Sequence, residues 1–315
     1  MSYQQLTEGK RYQISALLAE GYSQARIART IGVHPSTIGR ELTRNRSGEG
    51  YEPKRAQQIT ARRRRTASKY TVSQTAVLFA ELMLGHQWSP EQISHVGKKI
   101  GLALSHEWIY QYVARDKANG GELYKQLRQG RKRYRRGKQK VRSPILNAVS
   151  IDERPSIVAM RERLGDWEAD TVIGKQGTGV FVTLAERKSR FYLVKRVASK
   201  HAAVVREALI DMLMPYKDSV HTLTFDNGGE FSEHEAVAEA LDAKAYFAHP
   251  YSSWERGLNE NFNGLLRQYF PKGVDLSDIT EQEVRDVQNA LNLRPRKCLG
   301  YKQPKVAFNE LRQAA

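Results

Sequence analysis

The sequence predicts an all-α N-terminal region followed by an α/β domain built on a mixed five-stranded sheet with flanking helices. Two observations carry this. Charge divides sharply along the chain: residues 1–150 hold 28 Lys+Arg against 10 Asp+Glu, whereas residues 151–315 hold 23 against 24, so the formal net charge of +17 belongs wholly to the first half. The hydrophobic period also changes, from helical spacing to strand-like runs, near residue 165.

At 315 residues, 40% of them hydrophobic, the chain is long enough for roughly two compact units with sizeable cores. No apolar run approaches the ~20 residues that span a bilayer, and MSYQQLTEGKRYQ lacks the apolar region of a secretory signal. A single cysteine, Cys298, excludes a disulfide framework and a cysteine-based zinc module, so the reduced cytoplasm is the expected compartment. The basic half should condense onto a polyanion, because each neutralised phosphate releases counterions. Anionic membrane is the rival partner, but the basic runs lie between polar helices rather than beside an apolar amphipathic face. Nucleic acid is favoured and no membrane is expected.

Residues 1–60 read as a DNA-binding domain of three short helices. Ile14, Leu17 and Leu18 recur at helical spacing, Gly21 closes that helix, and Ser23 is placed to cap the next. Ala28, Gly32 and Ile38 then fall at the spacing of a helix-turn-helix: a small residue for close approach, a glycine for positive φ in the turn, and an apolar side chain for the shared core. Pro35 suits the first turn of the second helix, whose exposed positions would be Ser36, Thr37, Arg40 and Arg44, candidate contacts to base edges and phosphates. The bland alternative is a helical hairpin without a ligand. A basic tract follows, with Arg62, Arg63, Arg64 and Arg65 read as a solvated linker that also meets phosphate. Residues 61–128 form a second helical module, where Ser89, Pro90 and Gln92 make a capping box and a further helix restarts near Ser105. This resembles a second helix-turn-helix without the Ala/Gly/Ile spacing, so base contact and plain packing stay equally open. Residues 129–150 open with a basic run free of acidic residues and read as the interdomain linker, disordered without DNA.

Residues 151–315 carry the strands. GDWEADTVIG, VFVTLAE and RFYLVKRVAS are three strands joined by turns; a helix over 200–214, capped by Ser199, leads to HTLTF. SEHEAVAEAL is a helix with a capping box from Ser232 to Glu235, AKAYF is the fifth strand, and ERGLNENFNGLLRQYF is a longer helix. Residues 280–292 form another capped helix, stopped before Pro295. Three antiparallel strands and then helix–strand–helix–strand–helix is the element order of a ribonuclease-H-like domain.

Three acids fall where that order brings side chains together. Asp170 lies in the first strand, Asp226 ends the fourth, its expected neighbour, and Glu260 sits near the start of the long helix, off the apolar stripe of Leu258, Phe262, Leu265, Leu266 and Tyr269. Converging carboxylates repel unless a cation lies between them, and hard, oxygen-coordinated Mg²⁺ or Mn²⁺ suits them. Two such ions roughly 3.5–4 Å apart would serve an in-line phosphoryl displacement. The eight histidines are scattered and offer no rival zinc site.

WEADTVIG, TFDNGGEF and HPYSSWERGLNENFNGLLRQYFPKG together resemble the insertion sequence 30 family of bacterial DDE transposases, with 56 and 34 positions separating Asp170, Asp226 and Glu260. A lone DNG-x-E also suits retroviral-type integrases; the third block is specific, and the resemblance spans nearly the whole chain. It implies that Asp170, Asp226 and Glu260 are the catalytic triad and metal ligands. It implies hydrolytic nicking at an element end to free a 3′-OH, which attacks a second phosphodiester, without ATP or a covalent protein–DNA bond. Partners would be double-stranded DNA, as terminal inverted repeats and target, and further copies of the chain in a dimer or larger oligomer at the bacterial nucleoid. Trp254, Arg256, Asn263, Arg267 and Lys272 are candidate DNA contacts, and Asn227 and Gly228 would shape the turn presenting Asp226. Glu168 shares the strand face of Asp170, and only the family motif separates the two. The rival readings are a non-transposing nuclease or integrase, and a DNA-binding regulator whose α/β domain serves assembly only.

Overall fold

The computed structural model describes residues 5–46, 48, 50–66, 72–128, 145–250 and 252–314. The chain divides into two compact units, residues 1–77 and 78–315.

In the first unit, α1 (Glu8–Ala19), α2 (Gln24–Ile31) and α3 (Pro35–Asn45) form the expected trihelical core. Ser23 caps α2 by accepting the Arg26 N–H at 3.4 Å, and Gly32 adopts φ +66°, a conformation that would strain a residue with a Cβ. Ile14, Ile27, Ala28 and Ile38 are fully buried together. The basic tract is not a linker. Lys54 to Thr66 contain no helix breaker, and they continue as α4 (Pro53–Thr66), docked through the buried Ala56. Arg63 donates to Asn45 Oδ1 at 2.8 Å and to the Arg44 carbonyl at 2.6 Å, satisfying the exposed end of α3. Residues 67–70 of the tract lie outside the described residues.

One buried pair ties α1 to α3. Arg11 meets Glu41 through Nε at 2.8 Å and through a second nitrogen at 3.2 Å, while Tyr51 donates to the same carboxylate at 3.0 Å. Burial alone would raise the Glu41 pKa, but the hydrogen bonds from Arg11, Asn45 and Tyr51 together hold it below the usual range.

α5 (Gln74–Gly85) runs across the boundary between the units, and α6 (Pro90–Lys99) and α7 (His106–Ala118) follow in the second. The Ser89–Gln92 capping box forms as expected, and Gln92 is used twice: Oε1 accepts the Ser89 N–H while Nε2 donates to the Pro295 carbonyl at 2.6 Å. Lys297 pairs with Glu91 at 2.6 Å and Tyr301 stacks on His95 at 3.7 Å. This face of α6 therefore packs on the C-terminal segment. The basic run 129–143 lies outside the described residues, but the end of the expected linker is ordered: Ile145 packs on the core and Ser150 bridges Phe247.

After a short helix, α8 (Ser156–Met160), comes the sheet: β1 (Asp166–Ile173), β2 (Val180–Glu186), β3 (Tyr192–Val197), β4 (Thr222–Phe225) and β5 (Lys244–Phe247), in the order β3-β2-β1-β4-β5. β1 pairs antiparallel with β2 and parallel with β4, and β4 pairs parallel with β5. This is the ribonuclease-H-like arrangement. One face packs on α9 (Ala202–Leu213), α10 (His234–Leu241) and α13 (Pro304–Gln313); the other packs on α11 (Gly257–Tyr269) and α12 (Glu281–Leu293). β2 is covered on both faces, which is why every residue of VFVTLAE is buried.

Two expected caps are displaced. Ser199 lies outside α9, whose N-cap is His201, and its Oγ only accepts the His201 N–H at 3.5 Å. Ser232 cannot cap α10, because its backbone is already helical (φ −62°, ψ −20°) rather than extended. The buried Phe231, tilted against Phe225, lies in a tight 3-10 turn over residues 229–231 that precedes it.

Removing Glu41 strands a buried guanidinium, so Glu41→Ala should cost about 3–5 kcal/mol and largely unfold residues 5–66. A urea titration monitored by circular dichroism checks this. Stability contributed by Glu41 should also be lost as pH falls through the carboxylate range, because its folded pKa is depressed.

Candidate active site

Strand pleating sorts the side chains of β1. Trp167 and Ala169 enter the core beneath α9, whereas Val172 packs beneath α11, with Glu168 and Asp170 on that second face. Glu168 is fully buried and committed: it ion-pairs with the buried Arg187, and its second oxygen accepts the Asn259 N–H at 3.2 Å. Asp170 remains partly open, accepting from the Thr171 N–H and from Asn263 Nδ2, each at 2.8 Å.

Asp226 directly follows β4, which adjoins β1, so the parallel β1–β4 pairing delivers both aspartates to the same end of the sheet. Asn227 and Gly228 do hold the turn. Asn227 Nδ2 donates to the Ala248 carbonyl at 2.6 Å, and the Gly228 N–H donates to Asp226 Oδ1 at 2.9 Å. A Cβ on Gly228 would lie 2.6 Å from the Glu230 carboxylate and 2.8 Å from Asp226 Oδ1, so a side chain here would push those carboxylates aside.

Arg256 lies between the two aspartates. One guanidinium nitrogen is 3.6 Å from Asp170 Oδ2 and the other 3.5 Å from Asp226 Oδ2, while the first also donates to the Ala169 carbonyl at 3.1 Å. Its Nε is buried without a partner. Burial pushes the Asp170 pKa up to about 6; Arg256 opposes the rise, and Asp226 and Glu230 reinforce it.

Glu230 was not singled out in the sequence, although it belongs to the DNGGEF block. It is buried, accepts from Thr171 Oγ1 at 2.9 Å and pairs with Lys200 at 3.4 Å. Glu260 is exposed on α11, one turn beyond Arg256 and one turn before Asn263. Among the described residues, no three His, Cys, Asp or Glu side chains are gathered closely enough to hold a metal ion. The sheet thus unites Asp170 and Asp226 with Arg256 and Asn263, and leaves Glu260 on the adjoining helix face.

The expected DNA contacts are placed unevenly. Arg256, only 8% exposed, is part of the carboxylate cluster rather than of an open surface. Asn263 also spends its side chain there, its Oδ1 accepting from Thr183 Oγ1 at 3.3 Å. Arg267 is tied to the Ile173 carbonyl at 2.6 Å. Trp254 is 73% exposed, and Lys272 is exposed. On α3, Ser36, Arg40 and Arg44 are exposed and Thr37 half-buried; Arg62, Arg64 and Arg65 are exposed on α4. The ERP segment contributes Arg154, which donates to Thr224 Oγ1 at 3.0 Å beside β1.

Residues 2–45 match the model of a helix-turn-helix domain family. The transposase for insertion sequence element IS4351 of Bacteroides fragilis is 42% identical over 97% of this chain and 96% of its own length. The chain belongs to the insertion sequence 30 family of transposases. The transposase InsI for element IS30A of Escherichia coli K12 is 35% identical over 95% of this chain and 82% of its own length. The transposase for element IS1086 of Cupriavidus metallidurans is 36% identical over 96% and 93%. A simian T-cell lymphotropic virus intasome structure aligns over 41% of this chain and 49% of that one, at 16% identity and a TM-score of 0.35, too distant to bear on the site. Family membership makes the protein a DNA-binding, DNA-recombining enzyme. No helix among the described residues is long and apolar enough to cross a membrane.

The chain entering the site is latched by His249. Its Nδ1 lies 2.8 Å from Glu255 Oε1, its Nε2 lies 2.8 Å from Asp152 Oδ2, and its N–H donates to Glu255 Oε2 at 2.8 Å. Hydrogen bonds to Glu255 and Asp152 raise the His249 pKa. The latch is therefore complete below the ordinary histidine value of about 6.5 and should loosen as pH rises through the elevated one. An NMR titration should place the His249 midpoint above the ordinary value, and Asp152→Asn should lower it; a midpoint unmoved by that substitution contradicts the latch.

Proposed function

We propose that this transposase binds the terminal inverted repeats of its own insertion sequence and performs metal-dependent strand cleavage and strand transfer there, with Asp170, Asp226 and Glu260 as metal ligands. The observation that carries the reading is the convergence of Asp170, within β1, and Asp226, just past the end of the adjacent parallel β4, on one shared cation, Arg256. The donor set is oxygen-only, as Mg²⁺ or Mn²⁺ prefers, and divalent metals are general in such enzymes. Bound ions, two per site, would supply Lewis-acid stabilisation of the attacking and leaving oxygens.

The chain's own residues prepare this. Asn263 and the Thr171 N–H fix the orientation of Asp170, and the Gly228 N–H fixes Asp226. The Arg256 contacts, at 3.5–3.6 Å, are longer than charge-assisted hydrogen bonds, so the guanidinium screens the pair without saturating its oxygens. Glu260, exposed and one turn from Asn263, is free to join them on the face of α11. Ser36, Thr37, Arg40 and Arg44 of α3 would read the element ends, with Arg62, Arg64, Arg65, Trp254, Arg267 and Lys272 as further contacts. A dimer or larger oligomer would hold two ends together at the nucleoid. The regulator reading predicts no cleavage at all.

Mapping new 3′ ends on a supercoiled plasmid that carries the gene with its flanking DNA tests the proposal. Wild-type protein with Mg²⁺ should break fixed flanking positions, and Asp226→Asn should bind the plasmid without cutting it. Cleavage by Asp226→Asn would remove the assigned triad.

Metal binding should also show in stability. Mg²⁺ or Mn²⁺ should raise the melting temperature of the wild type and not that of Asp226→Asn. Because Asp170 holds its proton up to about pH 6, the metal-induced rise should grow as pH increases from 5 to 7. In the metal-free protein the same raised pKa has the opposite sign, and stability should decline over that interval.

A further inference from the structure

Beside α11 lies a cleft of about 260 Å³, lined by Arg161, Arg190, Arg296, Cys298 and the first residues of the helix, Gly257, Leu258, Asn261 and Phe262. Three guanidinium groups meet here with no acidic residue in the lining. Arg161 and Arg190 make no side-chain hydrogen bond or ion pair among the described residues. The Arg190 and Arg296 Nε atoms are buried without acceptors. Arg296 spends only one terminal nitrogen, on the Leu291 carbonyl at 3.0 Å, and lies over the Phe262 ring at 4.8 Å.

Arg161 is exposed and Arg190 and Arg296 are half-buried, and the two buried, unpaired Nε donors among these like charges are costly unless a ligand resolves them. Burial and then repulsion from Arg294 push the Arg296 pKa down to about 9. Burial also lowers Arg161, with Arg190 and Arg187 adding to it. The 13-residue helix α11 begins at this cleft, and its N-terminus favours negative charge. Backbone geometry aims two of the arginines: Arg161 ends α8 at φ +60°, and Arg190 sits in the β2–β3 turn at φ +63°, both in the left-handed region that most side chains avoid.

We propose that this arginine cleft binds a phosphodiester of the DNA strand engaged at the carboxylates. Its volume is below the ~300 Å³ lower bound of typical small-molecule pockets, which fits a backbone phosphate with its sugar rather than a free nucleotide. Gly257 follows Arg256 and Asn261 follows Glu260, so a strand running along the start of α11 reaches the cleft from the carboxylates. The assignment rests on the nuclease reading for the source of the phosphate, and on the arginines alone for the anion.

Cys298 is the only cysteine of the chain, is exposed, and lines the cleft, so it reports occupancy directly. Full-length Asp226→Asn protein would be alkylated with iodoacetamide, alone, with a duplex carrying the element end, and with inorganic phosphate. The duplex should slow modification of Cys298 several-fold, and Arg161→Gln with Arg190→Gln should abolish that protection while gel-shift binding of the duplex persists. The double variant should melt no lower than its parent, since neither arginine has a protein partner to lose; a marked fall would make both structural and overturn the proposal. Equal protection in the double variant would also overturn it, as would DNA that binds without slowing alkylation. Protection by inorganic phosphate but not by DNA would assign a small-anion site and exclude a strand. Cleavage by Asp226→Asn would remove the assigned triad and leave the Cys298 result standing.

Discussion

Two carboxylates side by side on neighbouring strands repel each other, and the second unit is organised around containing that repulsion. Arg256 does so from between them. It is held by the Ala169 carbonyl on β1 and lies within 3.6 Å of both aspartates. The β1–β4 register sets the spacing, the Asn227–Ala248 hydrogen bond sets the turn, and the position of α11 sets Arg256 and Asn263. Each of these would be an ordinary structural detail if the aspartates were absent. With them present, each fixes the distance between like charges.

Burial of Glu168 follows from the same logic. A third carboxylate on that face of β1 would add to the repulsion, but Arg187 neutralises it inside the core. Two acids separated by two residues therefore have different fates, one sealed with its counter-ion and one left partly open. Sequence spacing alone could not divide them, because both point to the same face; their partners lie 19 and 86 positions away from them.

Local signals made much of the fold legible. The five strands, their order and the helices between them follow from runs and turns that each fit within about ten residues, and the Ala28/Gly32/Ile38 spacing reports a turn that Gly32 does adopt. The features missed were those decided by distant contacts. Arg62–Arg65 look like a solvated tract, yet α4 is held by Ala56 and Arg63 against α1–α3. Ser232 has the right neighbours for a cap, but burial of Phe231 displaces it. The role of Arg256 is invisible locally, since an arginine before a helix reads as a surface contact. Likewise, a domain with a formal charge near −1 conceals a cleft where three arginines face one another, because composition averages over space.

The last helix has a bearing on how the protein is made. Phe308 of α13 packs edge-on against Trp167 at the start of β1 and stacks on Phe191, while the Pro295 carbonyl receives Gln92 from α6. These contacts join segments more than a hundred residues apart, so the sheet cannot close its core until α13 has been synthesised and has emerged from the ribosome. A nascent chain would carry a finished helix-turn-helix well before it carried a finished nuclease. Recognition of DNA is thus available early in synthesis, and a closed catalytic core only after α13 has joined it.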